Sequence, residues 1–163
     1  LRPESMCKVW SSLYNLDTVC LRYYNVYSPC QRAGGPYATA IANFMEHIRQ
    51  SKDPFITGNG EQTRDMAHLD DVVSANIFCM EHQETFGGKY FDVGTGTNIS
   101  LNAVKDIVLE FFPNVKFDYV PTRDGDVMHT KADIEPLREL GWAPQNDIDS
   151  GIRKCFRKLR EQI

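Results

Sequence analysis

No glycine-rich phosphate turn of the G-x-G-x-x-G or P-loop type occurs anywhere in the 163 residues. Nothing in the sequence therefore opens a helix N-terminus to a pyrophosphate in the way such turns do. Gly94-Thr95-Gly96 follows a strand-like run but lacks the third glycine and reads as a plain turn. The five cysteines, Cys7, Cys20, Cys30, Cys79 and Cys155, are odd in number, widely spaced and free of a C-x-x-C pair. That excludes a disulfide framework and a zinc finger, and it points to a reducing, cytoplasmic home. The histidines His47, His68, His82 and His129 share no ligand spacing, so no metal site is expected. No apolar run approaches the roughly 20 residues that cross a bilayer, and no basic-then-apolar leader opens the chain. A net charge of −4 without blocks of like charge argues against nucleic acid or an anionic membrane as partner. The first residue is Leu1 where a methionine would open a complete protein, which leads us to expect a piece of a longer one.

What is present is the make-up of one globular domain: 42% hydrophobic and 25% charged residues, over a length that buries about 70% of the unfolded surface. Met6, Val9, Trp10 and Leu13 stand at helical spacing in residues 4–14, with Pro3 suited to a first turn. Thr18 to Tyr27 is rich in β-branched and aromatic residues and predicts a strand. Gly34, Gly35 and Pro36 punctuate the loop that follows. Ile41, Phe44, Met45 and Ile48 predict an amphipathic helix ending near Ser51. Phe55-Ile56-Thr57 is a short strand and Gly58-Asn59-Gly60 a turn. Gln62 to Leu69 is extended, and Asp70 is the expected N-cap of a helix reaching His82. Lys89 to Val93 predicts a strand, Ser100 an N-cap, and Leu101, Val104, Ile107, Val108 and Phe111 the buried stripe of the next helix. A strand over 115–120, a short helix over 133–140 and a last helix with Ile148, Ile152, Cys155, Phe156 and Leu159 on its apolar side complete the pattern. Strands alternating with helices mean an α/β fold.

Four segments carry a resemblance: Leu21-Arg22-Tyr23-Tyr24-Asn25-Val26-Tyr27, Gly58 to Asp71, Tyr90 to Leu101, and Arg123 to Asp133 with Leu140-Gly141-Trp142-Ala143-Pro144 behind it. Their order and spacing resemble the C-terminal half of the extended short-chain dehydrogenase/reductase family, specifically its nucleotide-sugar epimerases and dehydratases. The resemblance implies a Rossmann-type fold without its Gly-rich N-terminal half. Residues 1–163 then form the nucleotide-sugar-binding region, with 1–27 and 70–94 contributing the remnant of the sheet. It implies NAD as cofactor of the complete protein and a nucleotide sugar such as UDP-glucose or UDP-N-acetylglucosamine as ligand. A homodimer when complete is also implied, paired through helices of which the Met6 to Leu13 stripe remains. The family's Tyr-x-x-x-Lys pair falls upstream of Leu1. Glu4 stands where a tyrosine would have to precede Lys8, so Lys8 reads as a surface residue, and no catalytic residue is assigned within the chain.

The ligand's diphosphate calls for fixed, planar cations, and arginine meets that need with a fork of N–H groups. The resemblance gives this role to Arg64 and Arg123; read by itself, Arg64 fits equally a surface pair with Asp65 or Asp70. Asn25, at the carboxyl end of a strand where open α/β sheets bind ligands, is assigned to a phosphate or sugar oxygen, with an Asx-turn as the alternative. Asp126 suits the ribose hydroxyls or a loop cap. Phe55 and Thr57 flank the position of the uracil ring, Tyr37 borders the sugar or anchors its loop, and Tyr23 approaches the nicotinamide. His68 is expected beside the Arg64 strand and Trp142 as a lid on the core. The activity implied is 4-epimerisation of a UDP-hexose, with hydride passing from C4 to NAD. A 4,6-dehydratase shares that first step, and a non-catalytic sugar-nucleotide-binding module is the reading from another class.

Overall fold

The computed structural model describes residues 3–34, 38–122 and 124–163. Helix α1 (Pro3–Tyr14) leads into strand β1 (Val19–Tyr23), followed by helix α2 (Ala40–Arg49), strand β2 (Phe55–Thr57) and strand β3 (Thr63–Arg64). Helix α3 (Leu69–Glu81), strand β4 (Lys89–Val93), strand β5 (Ile99–Ser100) and helix α4 (Leu101–Phe111) come next. Strand β6 (Asp118–Val120), helix α5 (Glu135–Glu139) and helix α6 (Ile148–Gln162) close the order. The protein is an α/β fold.

β1 and β4 pair in parallel, Val19 opposite Lys89 and Tyr23 opposite Val93, joined by the crossover that contains α3. β2 and β6 form a second parallel pair, and β3 lies antiparallel to β5, with Thr63 opposite Ser100. The strand expected over 18–27 stops at Tyr23 because Asn25 takes a left-handed φ of 36°, which turns the chain out of register. It returns at Tyr27, which bridges His68. The extended stretch 62–69 keeps ladder geometry only at Thr63–Arg64.

His68, not Asp70, caps α3: its ring accepts from the Asp70 amide, since the helix begins two residues earlier than expected. Ser100 caps α4 as predicted, accepting from the Ala103 amide. The strand over 115–120 shortens to Asp118–Val120. The helix over 133–140 shortens to Glu135–Glu139, because Asp133 and Ile134 are spent on its entry turn.

Two apolar cores result. One joins Ile41, Phe44 and Met45 of α2, Val104 and Val108 of α4, and Ile152, Phe156 and Leu159 of α6 around Tyr27 and Ile56. The other packs Val72 and Ala75 of α3 and Leu137 of α5 against Phe91 and Val93 of β4, with Trp142 buried among them. The Trp142 indole N–H donates to Ser74 Oγ at 3.0 Å. All five cysteines are free thiols; Cys155 sits wholly inside the first core, where burial pushes its thiol up to about 12.

Asp17 and Asp71 fasten loops by accepting backbone amides. Asp17 takes those of Phe86 and Gly87, which hold its carboxyl below the usual aspartate range, and buried Asp71 takes those of Gln145 and Asn146. Two helix faces keep large apolar groups in solvent: Met6, Trp10 and Leu13 on α1, and Val73, Ile77 and Met80 on α3. Lys8 is exposed on α1. Glu4 forks onto Arg22 at 2.6 and 2.7 Å, so it serves an ion pair rather than a proton transfer. No helix among the described residues is long and apolar enough to cross a membrane.

Gly151 in α6 lies directly over the Tyr27 ring, and a β-carbon there would overlap the phenol oxygen. That oxygen is buried without a hydrogen-bond partner among the described residues. Helix propensity alone would make Gly151→Ala stabilising by up to about 1 kcal/mol. The overlap reverses the sign: urea denaturation followed by circular dichroism should show a loss of about 1–3 kcal/mol, the usual cost of overpacking. Tyr27→Phe in the same chain should restore most of it.

Candidate functional site

The segment 62–66 builds one wall of the site by the simple alternation of an extended chain. Gln62, Arg64 and Met66 turn to one side and line a cavity of about 370 Å³. Asn25, at the end of the β1 turn, faces it, and Thr57 of β2, Thr39, Leu101 and Asp126 close it. A narrower pocket of about 110 Å³ continues past Thr57 between Phe55, His47 and Asn43. Phe55 stands edge-on to His47, with ring centroids 5.4 Å apart. The N-terminal ends of α2 and α4, at Thr39–Ala40 and Leu101, both meet the main cavity. The positive ends of two helix dipoles thus border it, although the first amides of α4 are already bonded, Leu101 to Gln62, Asn102 to Gly60 and Ala103 to Ser100, as is that of Ala42 in α2, to Thr39.

Arg64 is the cation among the described lining residues, and it is held in place. Nη1 donates to the Thr63 carbonyl at 2.9 Å and Nη2 to Asp126 Oδ1 at 2.5 Å. Its ion-pair partner is therefore Asp126 across the cavity mouth, not Asp65 or Asp70 as the sequence allowed. Asp65 turns into the interior, and Asp70 lies beside the ring of His68 at 3.5 Å. Asp126 is occupied by this pair and caps no described loop amide. The Asn25 amide donates to the Asp65 carbonyl at 2.6 Å, a bond to the neighbouring segment and not a local Asx-turn.

Of the residues singled out from sequence, the structure brings together Asn25, Thr57, Arg64 and Asp126, with Phe55 next door. Tyr23 is apart. It lines a different cavity with Leu21, Asn76 and Met80, and its hydroxyl donates to Asn76 Oδ1 at 3.1 Å. Tyr37 and Arg123 lie outside the described residues. His68 does not flank Arg64 but sits at the head of α3, edge-on to Tyr27.

Sequence reasoning missed Gln62, whose buried amide donates to the Thr57 carbonyl at 2.6 Å, and Met66 beyond it. The signal was there in the i, i+2, i+4 spacing of Gln62, Arg64 and Met66 once the stretch was known to be extended. Thr39 and Leu101 had no such signal, because loop and helix ends reach the cavity only through the fold.

The site is thus a polar cavity on an α/β scaffold, lined by one restrained arginine and by Asp124 and Asp126, with two helix N-termini at its border. The sequence pattern of the NAD dependent epimerase/dehydratase family matches residues 2–94, and the chain belongs to that family. It is 32% identical over 158 residues to a putative UDP-glucose 4-epimerase of Methanocaldococcus jannaschii, covering 96% of this chain and 50% of that protein. It is 32% identical to a UDP-glucose 4-epimerase of Mycolicibacterium smegmatis, covering 98% and 50%. Among solved structures, the UDP-N-acetylglucosamine 4-epimerase of Methanobrevibacter ruminantium, in complex with UDP-N-acetylmuramic acid, superposes with a TM-score of 0.86 at 30% identity, over 98% of this chain and 51% of that one. The UDP-glucose 4-epimerase of Thermotoga maritima, with UDP-glucose, gives 0.86 at 31%, over 98% and 51%. The chain thus spans about half the length of these relatives.

The Asn25 geometry can be tested by stability alone. Asn25→Gly keeps the left-handed backbone and loses the bond to Asp65, a net cost of about 1 kcal/mol. Asn25→Ala adds the left-handed penalty of an ordinary residue, about 1 kcal/mol more. Equal unfolding free energies for the two variants would contradict the backbone assignment.

Proposed function

We propose that this chain is the nucleotide-sugar-binding part of an NAD-dependent nucleotide-sugar 4-epimerase of the UDP-hexose class. The observation that carries the reading is Arg64, restrained on one wall of a cavity that two helix N-termini also border. A diphosphate there takes charge-assisted bonds from the guanidinium, with the positive ends of two helix dipoles beside it. Asp126 holds the guanidinium until the ligand arrives and is then free for a sugar hydroxyl. Asn25 offers its remaining amide groups to the ligand, and the slot between Phe55, His47 and Thr57 suits a flat base. Arg123, from its sequence position, is the second diphosphate ligand and Tyr37 a border of the sugar pocket.

The relatives differ in the sugar they are named for, among them a UDP-glucuronate 4-epimerase and a dTDP-L-rhamnose 4-epimerase. The nucleoside diphosphate is their common element, and the site is read on that element first. A UDP-N-acetyl-alpha-D-glucosaminuronate decarboxylase among them keeps chemistry other than epimerisation as the second reading.

NAD is proposed for the complete protein. The described residues do not fit a dinucleotide by themselves. No Gly-rich turn leads into a helix N-terminus among them, and Tyr23, the residue expected at the nicotinamide, opens onto a cavity that Arg64 does not line. The work assigned to this chain is to bind and orient the sugar nucleotide. The apolar face of α1, with Met6, Trp10 and Leu13 exposed, supports the homodimer expected of the complete protein, and the reducing cytoplasm remains its expected home.

Calorimetric titration with UDP tests the site directly. Arg64→Ala should weaken binding about 10- to 150-fold, as the loss of a charged hydrogen bond of about 1.5–3 kcal/mol requires. Arg64→Lys should recover only part, since an ammonium does not reproduce the fork. Unchanged affinity in Arg64→Ala would remove the diphosphate from this wall. A second measurement separates binding from chemistry: the purified chain incubated with UDP-glucose and NAD should bind UDP yet form no UDP-galactose. Turnover would show that the 163 residues carry a catalytic base and a cofactor site that the reading denies them.

A further inference from the structure

Asp65 is fully buried, and no cation pairs with it among the described residues. Its carboxylate is instead the meeting point of two loops. Oδ1 accepts from the Thr95 amide at 2.8 Å and from the Thr95 hydroxyl at 2.8 Å. Oδ2 accepts from the Gly96 amide at 2.9 Å and from the Ala132 amide at 3.1 Å. Every partner donates, so position 65 needs a side chain that only accepts. The loops are shaped around it: a β-carbon at Gly94 would meet Asp65 Oδ2 at 2.9 Å and the Ala132 β-carbon at 2.5 Å.

The main chain of the same residue faces the ligand cavity's frame. The Asp65 carbonyl accepts the Asn25 amide, and its N–H donates to the Thr130 carbonyl at 3.1 Å. Arg64 is its neighbour on a strand that pairs with β5 at only Thr63 and Arg64. Past this short ladder, the peptide plane between 64 and 65 is held by the bond of the Asp65 N–H to Thr130 and by the bonds of the Asp65 carboxylate. The direction in which the Arg64 guanidinium leaves the strand depends on that plane; the acceptor of the Asn25 amide, the Asp65 carbonyl, belongs to the next one.

We propose that Asp65 is a positioning residue for anion binding, its buried carboxylate locking the backbone that points Arg64 into the cavity. This rests on the reading of the cavity as a diphosphate site. Asp65→Asn keeps size and packing but sets an NH2 group against backbone donors, so at least one bond is lost and the segment tilts. Thr95→Val removes one donor from the far side and leaves position 65 itself intact.

The experiment is a double-mutant cycle on the 163-residue protein, with UDP affinity measured by calorimetry at a temperature where circular dichroism shows each variant folded. Asp65→Asn should weaken UDP binding by about tenfold and Thr95→Val by a smaller factor. Either change should have less than about a twofold effect in an Arg64→Ala background, because the residue it acts through is gone. A merely structural Asp65 lowers the melting temperature of Asp65→Asn and leaves the affinity of the folded protein unchanged, which overturns the proposal. Equal losses in both backgrounds overturn it too, because Asp65 would then not act through Arg64. Should Asp65→Asn not fold, the Thr95→Val and Arg64→Ala cycle decides by the same criterion. Absence of UDP binding in the unaltered protein is a different failure, that of the diphosphate reading, and it takes the proposal with it.

Discussion

The architecture depends on the hydrogen bonding of one extended segment, residues 63–69, which runs between the two cores. Consecutive side chains leave it in opposite directions, so Met66 enters the core of α2, α4 and α6 while Ala67 enters that of α3 and β4. Its backbone is tied to the turn after β1 on one side, through Ala67 to Tyr24 and Leu69 to Tyr27. On the other it is tied to the 128–130 loop, through Thr63 to Met128 and Asp65 to Thr130. The cavity lies along this seam. Residues that face it are therefore held by both cores, which is how a two-residue strand keeps a long side chain such as Arg64 in one place.

Aspartates recur as the fasteners of this fold, Asp65 and Asp71 buried and Asp17 exposed. Asp17, Asp65 and Asp71 each collect backbone amides from a distant loop instead of pairing with a cation. Each charge-assisted bond is stronger than a neutral one, and a carboxylate with several such donors recovers the solvation it loses on burial. Loops without regular pairing are thereby fixed, including the 94–97 and 130–132 turns behind the site.

The chain belongs to the NAD dependent epimerase/dehydratase family, and the geometry narrows what these residues contribute. They bring a cation, two helix N-termini and an aromatic slot to one cavity. The exposed apolar faces of α1 and α3, and the parallel pair in which β1 meets only β4 among the described residues, take no part in lining that cavity. The proposed ligand site and the faces proposed for association are therefore built from different elements of one α/β unit.

The sequence by itself determined the elements whose causes are local. Helical spacing of apolar residues located α2, α4 and α6, and Ser100 marked a cap because a hydroxyl there satisfies a free amide. Nearest-neighbour patterns carry such information because periodicity and capping act within a turn or two of chain. Only the tertiary structure decided that β1 ends at Tyr23, that His68 starts α3, that Arg64 pairs with Asp126, and that Tyr23 opens onto another cavity. It alone also made Asp65 the anchor of the seam. Its partners, Thr95, Gly96 and Ala132, lie 30 to 67 positions away, and a carboxylate's choice of donors at that distance is settled by which loops the two cores bring together.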